Sequence, residues 1–249
     1  MLPETLPISA ADHDEVLRAV YDSDQAMYPV ALPYERLQSW VTVCPELSVR
    51  FRNTAVDTAW KACGLIIVLP LRRVYWEKLL DGRLKEADIQ AESMFPGWYL
   101  RGGDGSGSGL EEVEVGLHVY HIERDFTAEW ESPRAAPADP GCRKKGFAEF
   151  ALEEVVRRAK GWPGWRIVGM SALTATPAGK RTFEKLGFTP TGYRELFITE
   201  NAPGTNAVEG KAQVEMICLY PDDGGEAATI ADGRKVISKS EMTVKFIQV

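Results

Sequence analysis

Cysteine is scarce in this chain: four among 249 residues, at Cys44, Cys63, Cys142 and Cys218. No two lie close enough for a Cys-x-x-Cys pair or a metal knuckle, and four in this length make no disulfide framework. The expected setting is reducing and cytoplasmic, with no metal. Long apolar runs are missing as well. The longest, Cys63 to Leu71, has nine residues and contains Pro70, whereas a membrane helix needs about 20. The opening residues, MLPETLPISAADHDEV, show no basic start ahead of an apolar core, so no secretory signal is expected. Positive charge is in deficit: 29 Lys and Arg against 36 Asp and Glu leave a net charge of −7. An acidic chain is a poor match for nucleic acid or an anionic membrane, and neither partner is expected. Apolar residues, at 45%, and charged residues, at 26%, stand at the usual proportions of a soluble globular protein. At about 150 residues per domain the length corresponds to one or two domains, and a single domain over residues 1–249 is the reading adopted.

Periodicity divides the chain into elements. Val16, Leu17, Val20 and Tyr21 recur at helical spacing within Ala10 to Met27, and acidic Asp12, Asp14 and Glu15 suit its N-terminal end. Tyr34 to Val43 reads as a second, shorter helix. Leu47 to Arg52 alternates as a strand, and GLIIVLPL within Lys61 to Leu71 has the continuous apolarity of a strand buried on both faces. Residues 74–94 read as helical turns broken at Gly82. The run GGDGSGSG over residues 102–109 has nothing to bury and reads as a flexible loop. Glu112 to Arg124 then alternates as a long strand, with Glu114, Gly116, His118, Tyr120 and Ile122 on one face and Val113, Val115, Leu117, Val119 and His121 on the other. Residues 125–142, with Pro133, Pro137 and Pro140, read as a surface insertion, because proline cannot continue a ladder. Gly146 to Lys160 carries Phe147, Ala151, Val155 and Ala159 as an apolar stripe, with Glu153–Arg157 and Glu154–Arg158 as i, i+4 pairs. A strand (Trp165 to Leu173), a helix (Pro177 to Leu186), a strand (Phe188 to Thr199) and its hairpin partner (Gln213 to Tyr220) follow. Residues 222–249 form an extension whose end alternates like a strand. Interleaved helices and strands point to an α/β fold with a mixed sheet.

The stretch Arg143-Lys144-Lys145-Gly146-Phe147-Ala148 carries chemistry. Three cations precede a helix start, where backbone N–H groups lack intrahelical partners and the helix dipole is positive. Gly146 admits an anion close to the backbone, so the segment reads as a phosphate site. No G-x-x-x-x-G-K-[ST] is present, nor a G-x-G-x-x-G after a strand, which counts against a nucleotide-binding enzyme.

The spacing Arg-x-x-Gly-x-Ala after a strand and before an amphipathic helix resembles the pyrophosphate-binding motif of the GCN5-related N-acetyltransferase (GNAT) family. TPAGKRTFEKLGF, Thr176 to Phe188, is similar to that family's second motif. The two cover residues 112 to about 199, roughly a third of the chain. The resemblance implies the GNAT fold, a mixed central sheet flanked by helices and splayed by a bulge on the central strand, with acetyl-CoA as cosubstrate in the gap. It implies that Ile122 and Glu123 pair with pantetheine, and that Arg143, Lys144, Lys145, Gly146, Phe147 and Ala148 line the pyrophosphate. The implied activity is transfer of an acetyl group to a primary amine of a small molecule or protein. The alternative is a non-catalytic acyl-CoA-binding module. That alternative draws on Phe183, which stands where many members carry a general-acid Tyr, and on Thr176, where Asn is frequent.

Acyl transfer to an amine needs the nitrogen neutral when it attacks, and a carboxylate or imidazole can take its proton. His118 and Glu114, on one face of the long strand, are the candidate bases. His118 has the suitable intrinsic pKa. Trp40, Tyr75, Trp76, Trp98 and Tyr99 fall where the resembled fold builds its acceptor-side wall, and Trp162 and Trp165 read as a packed turn.

Overall fold

The computed structural model describes residues 4–8, 13–27, 32–52, 62–97, 112–124, 145–199, 214–220 and 235–247. The loop over 102–109, the insertion over 125–142, Arg143, Lys144, Trp98 and Tyr99 lie outside the described residues.

Among the described residues, eight strands form one sheet: β1 (Glu4–Pro7), β2 (Ser48–Arg52), β3 (Ala62–Arg72), β4 (Val113–Arg124), β5 (Trp165–Thr174), β6 (Thr189–Thr199), β7 (Val214–Leu219) and β8 (Lys235–Phe246). Their order is β1-β2-β3-β4-β5-β8-β6-β7. Only β4 and β5 run parallel among these neighbours; the other pairs are antiparallel. The expected hairpin of β6 with β7 is present. The C-terminal strand is the difference. Read from the sequence as an extension, β8 is inserted between β5 and β6 and holds the two halves of the sheet together. Alternation identifies a strand, but its neighbours are set by long-range pairing.

Among the described residues, six helices cover the sheet: α1 (His13–Met27), α2 (Tyr34–Val43), α3 (Arg73–Leu80), α4 (Ala91–Met94), α5 (Phe147–Lys160) and α6 (Pro177–Lys185). A 3₁₀ turn at Pro45–Leu47 takes the place of the expected start of β2, and another occupies Glu86–Asp88. Gly82 breaks the segment after α3 as expected: its φ is 76°, and Tyr193 fills the space a Cβ would need.

The faces follow from β3. Phe147 of α5 packs against Gly64 and edge-on to Phe51, ring centroids 5.3 Å apart. Trp76 of α3 lies over Gly116, whose partner on β3 is Leu71. Gly64 and Leu71 are an odd number of residues apart, so α5 and α3 cover opposite faces. Trp40 of α2 meets Tyr120 edge-on at 5.0 Å, which places it on the α3 face. Both faces of β4 are covered, and Val115 to His121 are buried. On the wet side of α5, Glu154 binds both Arg157 and Arg158, while Glu153 binds Lys145 instead of the expected Arg157.

Candidate active site

β4 and β5 pair only as far as Val119 opposite Ala172. Beyond that point they line a cleft. A bulge at Tyr120 helps turn β4 away: on β3, Ile67 faces His121 while the next residue, Val68, faces Val119. The extra residue puts Tyr120 and His121 on one face, where strict alternation separates them. Both reach Asp24 of α1, Tyr120 donating to Oδ2 at 2.7 Å and His121 Nδ1 standing 3.7 Å from Oδ1. Burial pulls the His121 pKa down, but Asp24 and Glu123 outweigh it and leave it raised.

On the α5 face the cleft has a volume of about 600 Å³ and is walled by β4 residues from His121 to Arg124, by Gly146–Glu149, and by α6 including Phe183. Of the residues expected at the cofactor, Ile122, Glu123, Gly146, Phe147 and Ala148 share this wall. A Cβ on Gly146 would meet nothing within 4 Å, so the helix start is open to an anion. Lys145 is turned away from it, its Nζ 2.5 Å from Glu153 Oε2. Phe183 is buried edge-on against Phe188, and Thr176 caps α6 by accepting the Gly179 N–H at 3.0 Å.

On the α3 face lies a smaller cavity, about 80 Å³, lined by Asp24, Gln25, Leu32, Lys85, Glu86, Ala87, Tyr120, Glu195, Phe197 and Met216. Asp24 and Tyr120 also line the gap where β4 and β5 separate, beside Val119, Ala172 and Thr174. The gap shares Asp24 and Tyr120 with the smaller cavity and His121, Ile122 and Phe183 with the larger cleft, so it lies between them.

His118 and Glu114 share a face but do not meet. The Trp76 indole lies over Gly116 between them. Glu114 sits at the start of β4, ion-paired with Arg73 at 3.1 Å and with Arg166, and lines neither hollow. His118 is fully buried. Its Nε2 is 2.6 Å from Glu86 Oε1 and its Nδ1 2.9 Å from Ser171 Oγ, which accepts the Trp76 indole N–H at 2.8 Å. Burial lowers the His118 pKa to about 3. Burial, then the charges of Glu195 and Asp24, raise that of Glu86 well above the ordinary carboxylate value. The cavity thus contacts His118 only through Glu86. No motif marked Glu86, which sits in a short 3₁₀ turn with no periodicity of its own.

No family model matches the sequence, and no curated protein matches it. Solved structures do resemble it. Arabidopsis thaliana NAA60 in complex with a bisubstrate analogue is 13% identical, with 99% of each chain covered and a TM-score of 0.50. The same protein with acetyl-CoA is 13% identical over 98% of each chain, TM-score 0.48. A mosquito arylalkylamine N-acetyltransferase like 5b is 11% identical, covering 98% of this chain and all of its own, TM-score 0.48. The split parallel pair and the likeness to NAA60 together define the fold: it is that of the GCN5-related N-acetyltransferases.

Proposed function

We propose that the protein transfers an acetyl group from acetyl-CoA to a primary amine. The observation that carries this reading is the gap where β4 and β5 part, which shares lining residues with a hollow on each face of the sheet. A thioester approaching from the α5 face and an amine approaching from the α3 face would come together at Tyr120 and Asp24. The α5 side suits the cosubstrate. An open glycine stands at a helix N-terminus, where a diphosphate is stabilised by backbone amides and by the dipole. Lys145 reaches this position by leaving Glu153, an exposed pair of the kind that contributes about 0–1 kcal/mol. Arg143 and Lys144 remain candidates for the same diphosphate on the strength of their sequence position.

In the transfer, the neutral amine nitrogen bonds to the acyl carbon, the C–S bond breaks, and sulfur leaves with the electron pair. Glu86 takes the proton lost by nitrogen, and His118, fixed by Ser171, orients the carboxyl. Burial holds the Glu86 pKa above the ordinary carboxylate value, which makes it a stronger proton acceptor. Phe183 has no proton to give to the thiolate, and His121 in the same gap, its pKa raised, has one.

The test is turnover of acetyl-CoA with a panel of amines, beside calorimetry with CoA. CoA binding with no acetyl transfer to any amine would favour the non-catalytic acyl-CoA-binding reading, which rests on Phe183. Absence of CoA binding would refute both.

A further inference from the structure

Asp24 is 4% exposed and belongs to α1, yet its carboxylate reaches the place where β4 and β5 part. A carboxylate out of water is costly unless polar partners hold it, and Asp24 has one at each oxygen. Oδ2 accepts the Tyr120 O–H at 2.7 Å, and Oδ1 stands 3.7 Å from His121 Nδ1. Tyr120 and His121 are consecutive, so strict alternation would turn only one of them toward α1. The bulge opposite Ile67 and Val68 turns both.

This order of residues fixes the imidazole. Tyr120 and His121 are both buried, and the Tyr120 ring is pinned edge-on by Trp40. The Tyr120 hydroxyl orients the carboxylate, and the carboxylate faces Nδ1. Nε2 is the nitrogen turned away from Asp24. It stands 3.2 Å from Glu123 Oε2, and Glu123 is half exposed on the wall of the larger cleft. An exposed partner of this kind is readily exchanged. His121 lines both the gap and that cleft, so Nε2 is the nitrogen placed to meet a leaving group. Among the described residues, the charged groups facing His121 are Asp24 from α1 and Glu123 from β4. Together they outweigh burial and raise its pKa.

A buried carboxylate behind an imidazole decides which ring nitrogen works and stabilises the charged ring. A separation of 3.7 Å is long for a hydrogen bond, and catalytic contacts of this kind tighten once the reactants are in place. We infer that Asp24 is a positioning residue: with Tyr120 it holds His121 by Nδ1, so that the Nε2 proton is delivered to the departing CoA sulfur. The step balances. As the C–S bond breaks, sulfur keeps the electron pair and takes the proton from Nε2. His121 is left neutral with its remaining proton on Nδ1, and solvent returns to Nε2 the equivalent of the proton that the amine gave up. The inference rests on the proposed transfer and names what aims its acid.

The first measurement needs neither turnover nor a variant. Nitrogen-15 NMR of the three histidines follows their protonation with pH. In the wild type, neutral His121 is expected to keep its proton on Nδ1, against Asp24; a proton on Nε2 overturns the inference. Asp24→Asn is expected to lower the pH at which His121 loses its charge by about one unit. In turnover with acetyl-CoA, His121→Phe is expected to lower kcat by about 10²–10⁴-fold. Asp24→Asn is expected to lower it by about tenfold and to move the alkaline limb of the kcat profile to lower pH, because the acid form of His121 is lost sooner. Phe183 lines the same gap and cleft from α6, so a hydroxyl placed there faces the same sulfur. Phe183→Tyr is expected to restore part of the kcat lost in His121→Phe, which a merely structural role of His121 would not allow. Full kcat in Asp24→Asn or His121→Phe, or an unmoved alkaline limb, refutes the inference and leaves the transfer standing. A wild type that acetylates no amine refutes the transfer, and the inference with it.

Discussion

Replacing His118 with Gln locates one buried proton. In the folded chain burial holds the His118 pKa at about 3 against an ordinary 6.5, while Glu86 is held well above 4.5. The imidazole then stays neutral, accepting the Ser171 O–H at Nδ1 and donating its Nε2–H to Glu86, which leaves that carboxylate able to take a proton. In the unfolded chain His118 titrates near its ordinary value. A folded pKa depressed below the unfolded one gives stability that is present above pH 6.5 and is lost as pH falls toward 3, because only the unfolded chain takes up the proton. The slope is about 1.36 kcal/mol per pH unit. His118→Gln removes this group and leaves Glu86 in place. Wild-type stability should therefore fall relative to the variant by about 2 kcal/mol between pH 6.5 and pH 5, and by about 4 kcal/mol on reaching pH 3. Above about pH 7.5 the difference should be constant. Urea unfolding at a series of pH values, followed by tryptophan fluorescence, measures both chains. Parallel curves between pH 6.5 and pH 5, with wild type losing ground above pH 6.5, would refute the reasoning and reveal an imidazolium–carboxylate ion pair instead.

Four further outcomes are expected. Gly146→Trp should abolish CoA binding in calorimetry while leaving the unfolding midpoint unchanged, because the position has open space and an ordinary φ of −70°. Glu86→Gln should lower kcat/KM for an amine by about 10²–10⁴-fold, with a smaller loss at high pH where the free amine is abundant, whereas Glu114→Gln, acting on the surface cluster with Arg73 and Arg166, should leave kcat/KM intact. Gly116→Ala drives a Cβ into the Trp76 ring and strains its hydrogen bond to Ser171; overpacking costs about 1–3 kcal/mol and the hydrogen bond about 1, read as a lower urea midpoint. Truncation before Lys235 should yield no folded protein by circular dichroism and size exclusion, since β5 and β6 then lose the strand between them.

Local pattern was enough to name most elements. The 3.6-residue stripe of Phe147, Ala151, Val155 and Ala159 specifies α5, and all four are buried. The alternation from Val113 to Arg124 specifies β4, and the apolar run before Leu71 specifies β3. The helix start at Gly146 was equally legible, because a helix N-terminus opened by a glycine depends on a few consecutive residues. These features share one property: the residues that cause them are neighbours in the chain.

The proposed catalytic arrangement was not legible, because its causes are distant in the chain. Alternation placed His118 and Glu114 on one face, as found, but could not show that Trp76, about 40 residues earlier, lies between them. It placed Tyr120 and His121 on opposite faces, and a one-residue mismatch with β3 brought both to Asp24. Glu86 has no pattern of its own; it becomes a candidate base only when its 3₁₀ turn is packed against His118, 32 residues away. Likewise β8 announces itself as a strand, but a period of two is the same whatever lies on either side. Periodicity assigns a side chain to a face, and hydrogen-bonded pairing across the sheet then decides which faces, charges and cavities are brought together.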